Sequence, residues 1–137
     1  MISYNELSGE VKDKFFFKKE ERLTSRKQIR QLFDYGLTFN KFPFKVFYLQ
    51  VNEQFGYPAK VLISIPKRTF RKAVTRNLLK RRVREAYRLN KSILYNRLIQ
   101  TNKTIILAFL YIGKEVTDYR QIENKMIEAI RHLGNIV

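Results

Sequence analysis

The sequence predicts an α+β domain: a single-domain α/β sandwich of order α-β-β-β-α-β-α, built around a small central sheet and carrying one long basic helix. Three observations predict it. Aromatic and β-branched runs at 44–51, 59–65 and 104–112 read as strands. The stretches around them are rich in helix formers and begin at capping residues. Hydrophobic residues make up 45% of 137, enough for a core, while 5 Gly and 3 Pro leave no flexible linker that would divide the chain. One domain over 15–137 is expected, preceded by a loosely attached extension over 1–14.

Each element has its own local signal. Thr24 or Ser25 can cap a helix reaching Tyr35, with Ile29, Leu32 and Phe33 at helical spacing and Gly36 as its stop. Leu37 to Lys41 adds a short edge strand. Residues 44–51 alternate, so Lys45, Phe47 and Leu49 share one face and Phe44, Val46 and Tyr48 the other. Gln54 to Pro58 is turn material, and Ala59 to Ile65 a strand closed by Pro66. Residues 72–91 contain no Gly or Pro and form a long helix, open to extension through Ser92 to Ile99. Thr104 to Ile112 is almost continuously apolar, as a strand covered on both faces would be. Asp118 caps a last helix with Ile122, Met126, Ile127 and Ile130 on one side and Gly134 as its end.

Charge narrows the function. Lys and Arg number 28 and Asp and Glu 12, a formal net charge of +16. Such an excess repels itself unless a polyanion neutralises it. An acidic regulator, or an enzyme for small neutral substrates, does not fit. With no Cys, disulfides, thiolate nucleophiles and sulfur-ligated zinc are absent, and a reducing cytoplasm is the expected compartment. The N-terminal residues lack a basic region followed by an apolar run, and the run at 104–112 is less than half a membrane span. Nucleic acid is the expected partner, and no membrane role is expected.

The excess is concentrated. Residues 67–91 hold eleven Lys or Arg and one acid, Glu85. On a helical wheel Asn77, Lys80, Arg81, Arg84, Arg88 and Lys91 form one stripe, opposite Leu79, Val83 and Ala86. Like charges at i,i+4 repel, so the stripe suits phosphates better than itself, although solvated basic faces are common. Asn77 adds an amide able to bond a base edge, ribose or phosphate.

Ser64-Ile65-Pro66-Lys67-Arg68, followed by Arg76-Asn77-Leu78-Leu79-Lys80-Arg81-Arg82-Val83-Arg84-Glu85, resembles the signature of the bacterial ribonuclease P protein component. That family carries an R-N-x-x-K-R-x-x-R-E helix after a strand ending in two basic residues. Arg22-Leu23 through Phe33-Asp34-Tyr35-Gly36 is similar to the family's first helix. The resemblance spans about residues 20–133. Three positions depart: Leu78 replaces a family Arg, Leu62-Ile63 an apolar-Gly pair, and Ile29 a common aromatic.

The resemblance implies a protein subunit that binds a catalytic RNA and the 5′ leader of precursor tRNA. It promotes endonucleolytic removal of that leader, while the RNA subunit and substrate hold the Mg²⁺. It implies RNA contacts at Lys67, Arg68, Arg71, Lys72, Arg76, Asn77, Lys80, Arg81, Arg84 and Arg88, with one protein per RNA. It further implies a leader cleft at Ile29, Phe33, Lys45 and Phe47, where aromatics beside cations suit single-stranded RNA. Ile29 and Phe33 also fit plain core positions. No catalytic or metal-ligating residue is expected from this chain. His132 reads as a helix C-terminal dipole partner. Glu20 and Glu21 precede a helix N-terminus that favours them. Glu85 reads as a counter-charge for Arg81, Arg82 or Arg88. A structural ribosomal or RNA-assembly protein is the alternative. A DNA-binding module is disfavoured for want of a helix-turn-helix or dimerisation heptad.

Overall fold

The structure, a computed structural model, describes residues 16–53 and 56–137. The extension expected over 1–14, and Gln54 and Phe55 of the expected turn, lie outside the described residues. A single 3₁₀ turn, Lys19–Glu21, leads into α1 (Arg26–Tyr35), β1 (Leu37–Lys41), β2 (Phe44–Val51), β3 (Ala59–Ser64), α2 (Ala73–Thr101), β4 (Thr104–Tyr111) and α3 (Tyr119–Ile136). The element order is the expected one. Ser25 caps α1 by accepting the Gln28 amide at 3.3 Å, and Asp118 caps α3 by accepting that of Gln121 at 2.9 Å. Each satisfies one of the amides that a helix start leaves without a partner.

The helix ends follow less general rules. Gly36 stops α1 with an extended backbone, φ −70°. Its need for Gly is close approach, since a Cβ there would lie 2.3 Å from the Leu32 carbonyl oxygen. α2 runs to Thr101, where Asn102 adopts the left-handed conformation (φ 53°) and its amide reaches the Ile99 and Leu98 carbonyls. Gly134 was expected to end α3, but the helix continues to Ile136. Gly134 instead lies against the Arg97 side chain, whose Nε donates to its carbonyl at 3.1 Å.

The sheet order is β1-β2-β4-β3, antiparallel except for the β3–β4 pair, which α2 connects. β4 is thus central, which explains its uninterrupted apolar sequence. Its odd residues Ile105, Leu107, Phe109 and Tyr111 pack with Phe44, Val46, Val61 and the apolar sides of α2 and α3. Its even residues Ile106 and Ala108 form a smaller cluster with Leu23 and Leu32 beneath α1. Ile29, Phe47, Leu49, Val51 and Leu62 pack around that cluster, half-buried. α1 thus covers one face of the sheet, and α2 and α3 the other.

Leu107 is fully buried at the centre of this sandwich. Leu107→Ala removes its apolar contacts and leaves a cavity, so stability should fall by about 2–5 kcal/mol, read as an earlier urea midpoint at unchanged slope.

Candidate nucleic-acid interface

The basic face begins in the turn before α2. The Phe70 amide donates to the Pro66 carbonyl at 3.1 Å, and the Phe70 ring is buried edge-on to Tyr111 at 5.7 Å. This anchor leaves Lys67, Arg68, Arg71 and Lys72 exposed. Arg76 fastens the turn to the helix: one terminal nitrogen donates to the Phe70 and Arg71 carbonyls at 2.8 and 2.9 Å. Arg76 therefore shapes the surface as well as charging it. Along the helix Asn77, Arg81 and Arg84 are exposed and Lys80 is half-buried. Leu79, Val83 and Ala86 on the other side are fully buried. Burying one Leu or Val is worth about 1.5–3 kcal/mol, while each like-charge i,i+4 pair costs only a few tenths, so packing wins and the stripe stays presented.

Two further cations of this helix, Arg82 and Arg88, have partners within the fold. Arg82 donates to the Thr117 carbonyl at 2.8 Å, holding the loop between β4 and α3. Arg88 grips Glu85 with two hydrogen bonds, at 3.0 and 2.5 Å. This bond holds the Glu85 carboxyl below its ordinary range, against a smaller opposing effect of burial, and raises the Arg88 guanidinium. The depressed carboxyl keeps the pair intact above the ordinary carboxylate range, and the pair is lost as pH falls through the lowered value.

Lys91 requires a correction. The wheel places it on the exposed stripe, but it is 1% exposed and paired with Glu21 at 2.5 Å. The cause is tertiary: the segment before α1 lies over α2 there, so the buried side of the helix turns from Leu79 and Val83 toward Lys91 and Tyr95. Glu21 likewise is a buried partner of Lys91 and Tyr95 and not a helix-dipole charge. A contact 70 residues apart in sequence leaves no local pattern. His132, expected as a dipole partner, stands edge-on to Phe39 at 4.4 Å with α3 continuing past it.

The second surface lies on the opposite face of the sheet. Ile29 and Phe33 of α1 lie over the face of β2 that carries Lys45 and Phe47. The Phe33 and Phe47 rings are 4.7 Å apart at 68°, and Lys45 Nζ lies 5.4 Å from the Phe47 ring centre. Phe33 is 41% exposed and Ile29 half-buried, so Phe33 is no ordinary core residue. Phe44 is fully buried on the other side of β2. Ser64 shares the cleft face and leads through Pro66 to Lys67 and Arg68, joining the cleft to the basic turn. Among the described residues there is no group of three or more His, Asp or Glu side chains that could hold a metal ion.

A cation-faced helix and an aromatic patch edged by a cation thus stand on opposite sides of a four-stranded α+β sandwich. The family model described as Ribonuclease P matches residues 17–134. The chain is 38% identical over 123 residues to the ribonuclease P protein component of Porphyromonas gingivalis, covering 89% of this chain and 90% of that one. It is 31% identical over 120 residues to that of Petrotoga mobilis, covering 85% and 94%. The solved RNase P protein of Thermotoga maritima has the same fold, with TM-score 0.65 and 24% identity over 82% of this chain and 96% of that one. That of Staphylococcus aureus gives 0.64 and 22% over 86% and 98%. The chain belongs to the ribonuclease P protein family, which places it in tRNA processing. No helix among the described residues is long and apolar enough to cross a membrane.

Because Glu85 already occupies Arg88, Arg88→Ala should weaken RNA binding less than Arg84→Ala. Glu85→Gln removes the one negative charge paired with Arg88 and should steepen the dependence of log K on log salt by about 0.7–0.9. Filter binding across a salt series measures both.

Proposed function

We propose that the chain binds the RNA subunit of ribonuclease P through α2 and the turn before it, and holds the 5′ leader of precursor tRNA in the cleft of Ile29, Phe33, Lys45 and Phe47. The observation that carries this reading is the exposed Phe33 ring against Phe47 with Lys45 beside it, on the sheet face opposite α2. Aromatic faces accept any base, and a neighbouring ammonium attracts the backbone, so such a cleft tolerates leaders of varied sequence. Arg81, Arg84 and the four cations of the turn supply phosphate contacts that position the RNA without reading its sequence.

In this reading the bond is broken elsewhere. Mg²⁺ held by the RNA subunit and the substrate would supply the Lewis-acid chemistry of hydrolysis, and no side chain of this chain is assigned to that step. The chain binds one RNA, holds the leader extended, and offsets phosphate repulsion where the two RNAs meet. It works as one protein per RNA, in the cytoplasm and away from membranes.

Added to its cognate RNA at low Mg²⁺, the protein should stimulate leader cleavage; alone it should cut nothing. Phe47→Ala should lower the affinity of the reconstituted enzyme for precursor tRNA by about tenfold and leave mature tRNA unchanged, the loss of one stacked base. No stimulation across a Mg²⁺ series, or an equal loss for both tRNAs, contradicts the proposal.

A further inference from the structure

The segment that enters α1 is fastened to α2 by a buried polar clamp. Lys91 Nζ donates to the Phe16 carbonyl and to Glu21 Oε1, the latter at 2.5 Å. Tyr95 donates its hydroxyl to the same carboxylate oxygen at 2.6 Å. The other oxygen accepts the Lys18 amide at 2.8 Å. Glu21 is 0% exposed. Burial holds the Tyr95 phenol protonated, well above its ordinary value, so its hydroxyl remains a donor. Around the clamp, Phe17 stands edge-on to Tyr87 at 5.8 Å, and the Arg22 guanidinium lies over the Phe17 ring.

The chain then rounds the free edge of β3. The Leu23 amide donates to the Val61 carbonyl at 2.9 Å, and the Leu23 side chain enters the small cluster beneath α1. Ser25 caps α1 two residues later. Only Thr24 separates the Leu23 anchor from that cap, so the path from clamp to helix has little slack. α1 needs such a tie. Beyond Leu23, its support is Leu32 on Ile106 and Ala108 with half-buried neighbours, whereas α2 and α3 share a far larger core. A buried ion pair adds little net stability over an apolar replacement, and its best-attested use is to fix one geometry.

We propose that Glu21, Lys91 and Tyr95 are positioning residues for the leader: their clamp fixes α1, and with it Ile29 and Phe33, relative to the RNA-binding helix, and so sets the width of the cleft. This rests on the cleft reading above. The clamp touches neither the exposed cations of α2 nor the rings of the cleft. Its loss therefore separates leader binding from RNA-subunit binding, whereas a merely structural role would lower both together.

The test uses enzyme reconstituted with Glu21→Ala/Lys91→Leu, which breaks the clamp without stranding a buried charge. Tyr95→Phe, a milder variant removing one hydrogen bond, decides should the double variant fail to fold. Expected for the double variant are RNA-subunit affinity within about twofold of wild type and a preference for precursor over mature tRNA reduced about fivefold, with Tyr95→Phe shifting the preference about twofold. Hydrogen exchange of the α1 amides should quicken while that of the α2 core amides holds. Unchanged α1 exchange, unchanged preference, or a parallel loss of RNA-subunit affinity and preference overturns the proposal. Phe47→Ala runs alongside. Should it leave the preference intact, the cleft reading fails, and α1 exchange in the clamp variants still decides whether the clamp fixes the helix.

Discussion

Eleven cations between Lys67 and Lys91 face a single carboxylate in the same stretch, and the fold is arranged around that imbalance. The helix that carries most of them is held by its apolar side, where Leu79, Val83, Ala86, Leu94 and Leu98 are fully buried against the sheet and α3. That anchorage outweighs the repulsion along the other side. Where a cation could not be left in water, the fold supplies a partner: Glu21 for Lys91, and backbone carbonyls for Arg76 and Arg82. Arg81, Arg84 and the turn cations remain exposed to solvent.

The same sandwich creates the second surface. β4 is buried on both faces, so each face of the sheet needs its own helical cover. α2 and α3 together cover one face, but on the other α1 is short and covers it only in part. The uncovered remainder, edged by Phe33, Phe47 and Lys45, is the cleft. A cleft here is thus a consequence of an incomplete layer, and the basic turn after Ser64 runs from it toward α2. In the proposed function, the two surfaces on opposite sides of one sheet hold two RNAs at a set separation, and the bond is broken outside the protein.

Most of this was legible in local sequence. Period-2 alternation at 44–51 correctly divided Lys45 and Phe47 from Phe44 and Val46, because a strand side chain has only two faces to choose from. The Arg76–Glu85 spacing located the basic helix, and of the three partners open to Glu85, Arg81, Arg82 and Arg88, the structure pairs it with Arg88 at i,i+3. What escaped was non-local. The position of Lys91 depends on a segment 70 residues earlier, and a wheel assumes that a helix keeps one buried side along its whole length. Arg76 reads as one more cation until the fold brings the Phe70 and Arg71 carbonyls beneath it. Gly134 reads as a helix stop until α2 places Arg97 against it.

The central claim is that the two surfaces hold different RNAs. Since the chain has no native Cys, single-cysteine variants can each carry one affinity-cleavage probe. With enzyme bound to precursor tRNA, a probe at Arg81→Cys should cut the RNA subunit and spare the leader, and a probe at Lys45→Cys should cut the leader. Leader cuts from Arg81→Cys, or none from Lys45→Cys, would contradict the account.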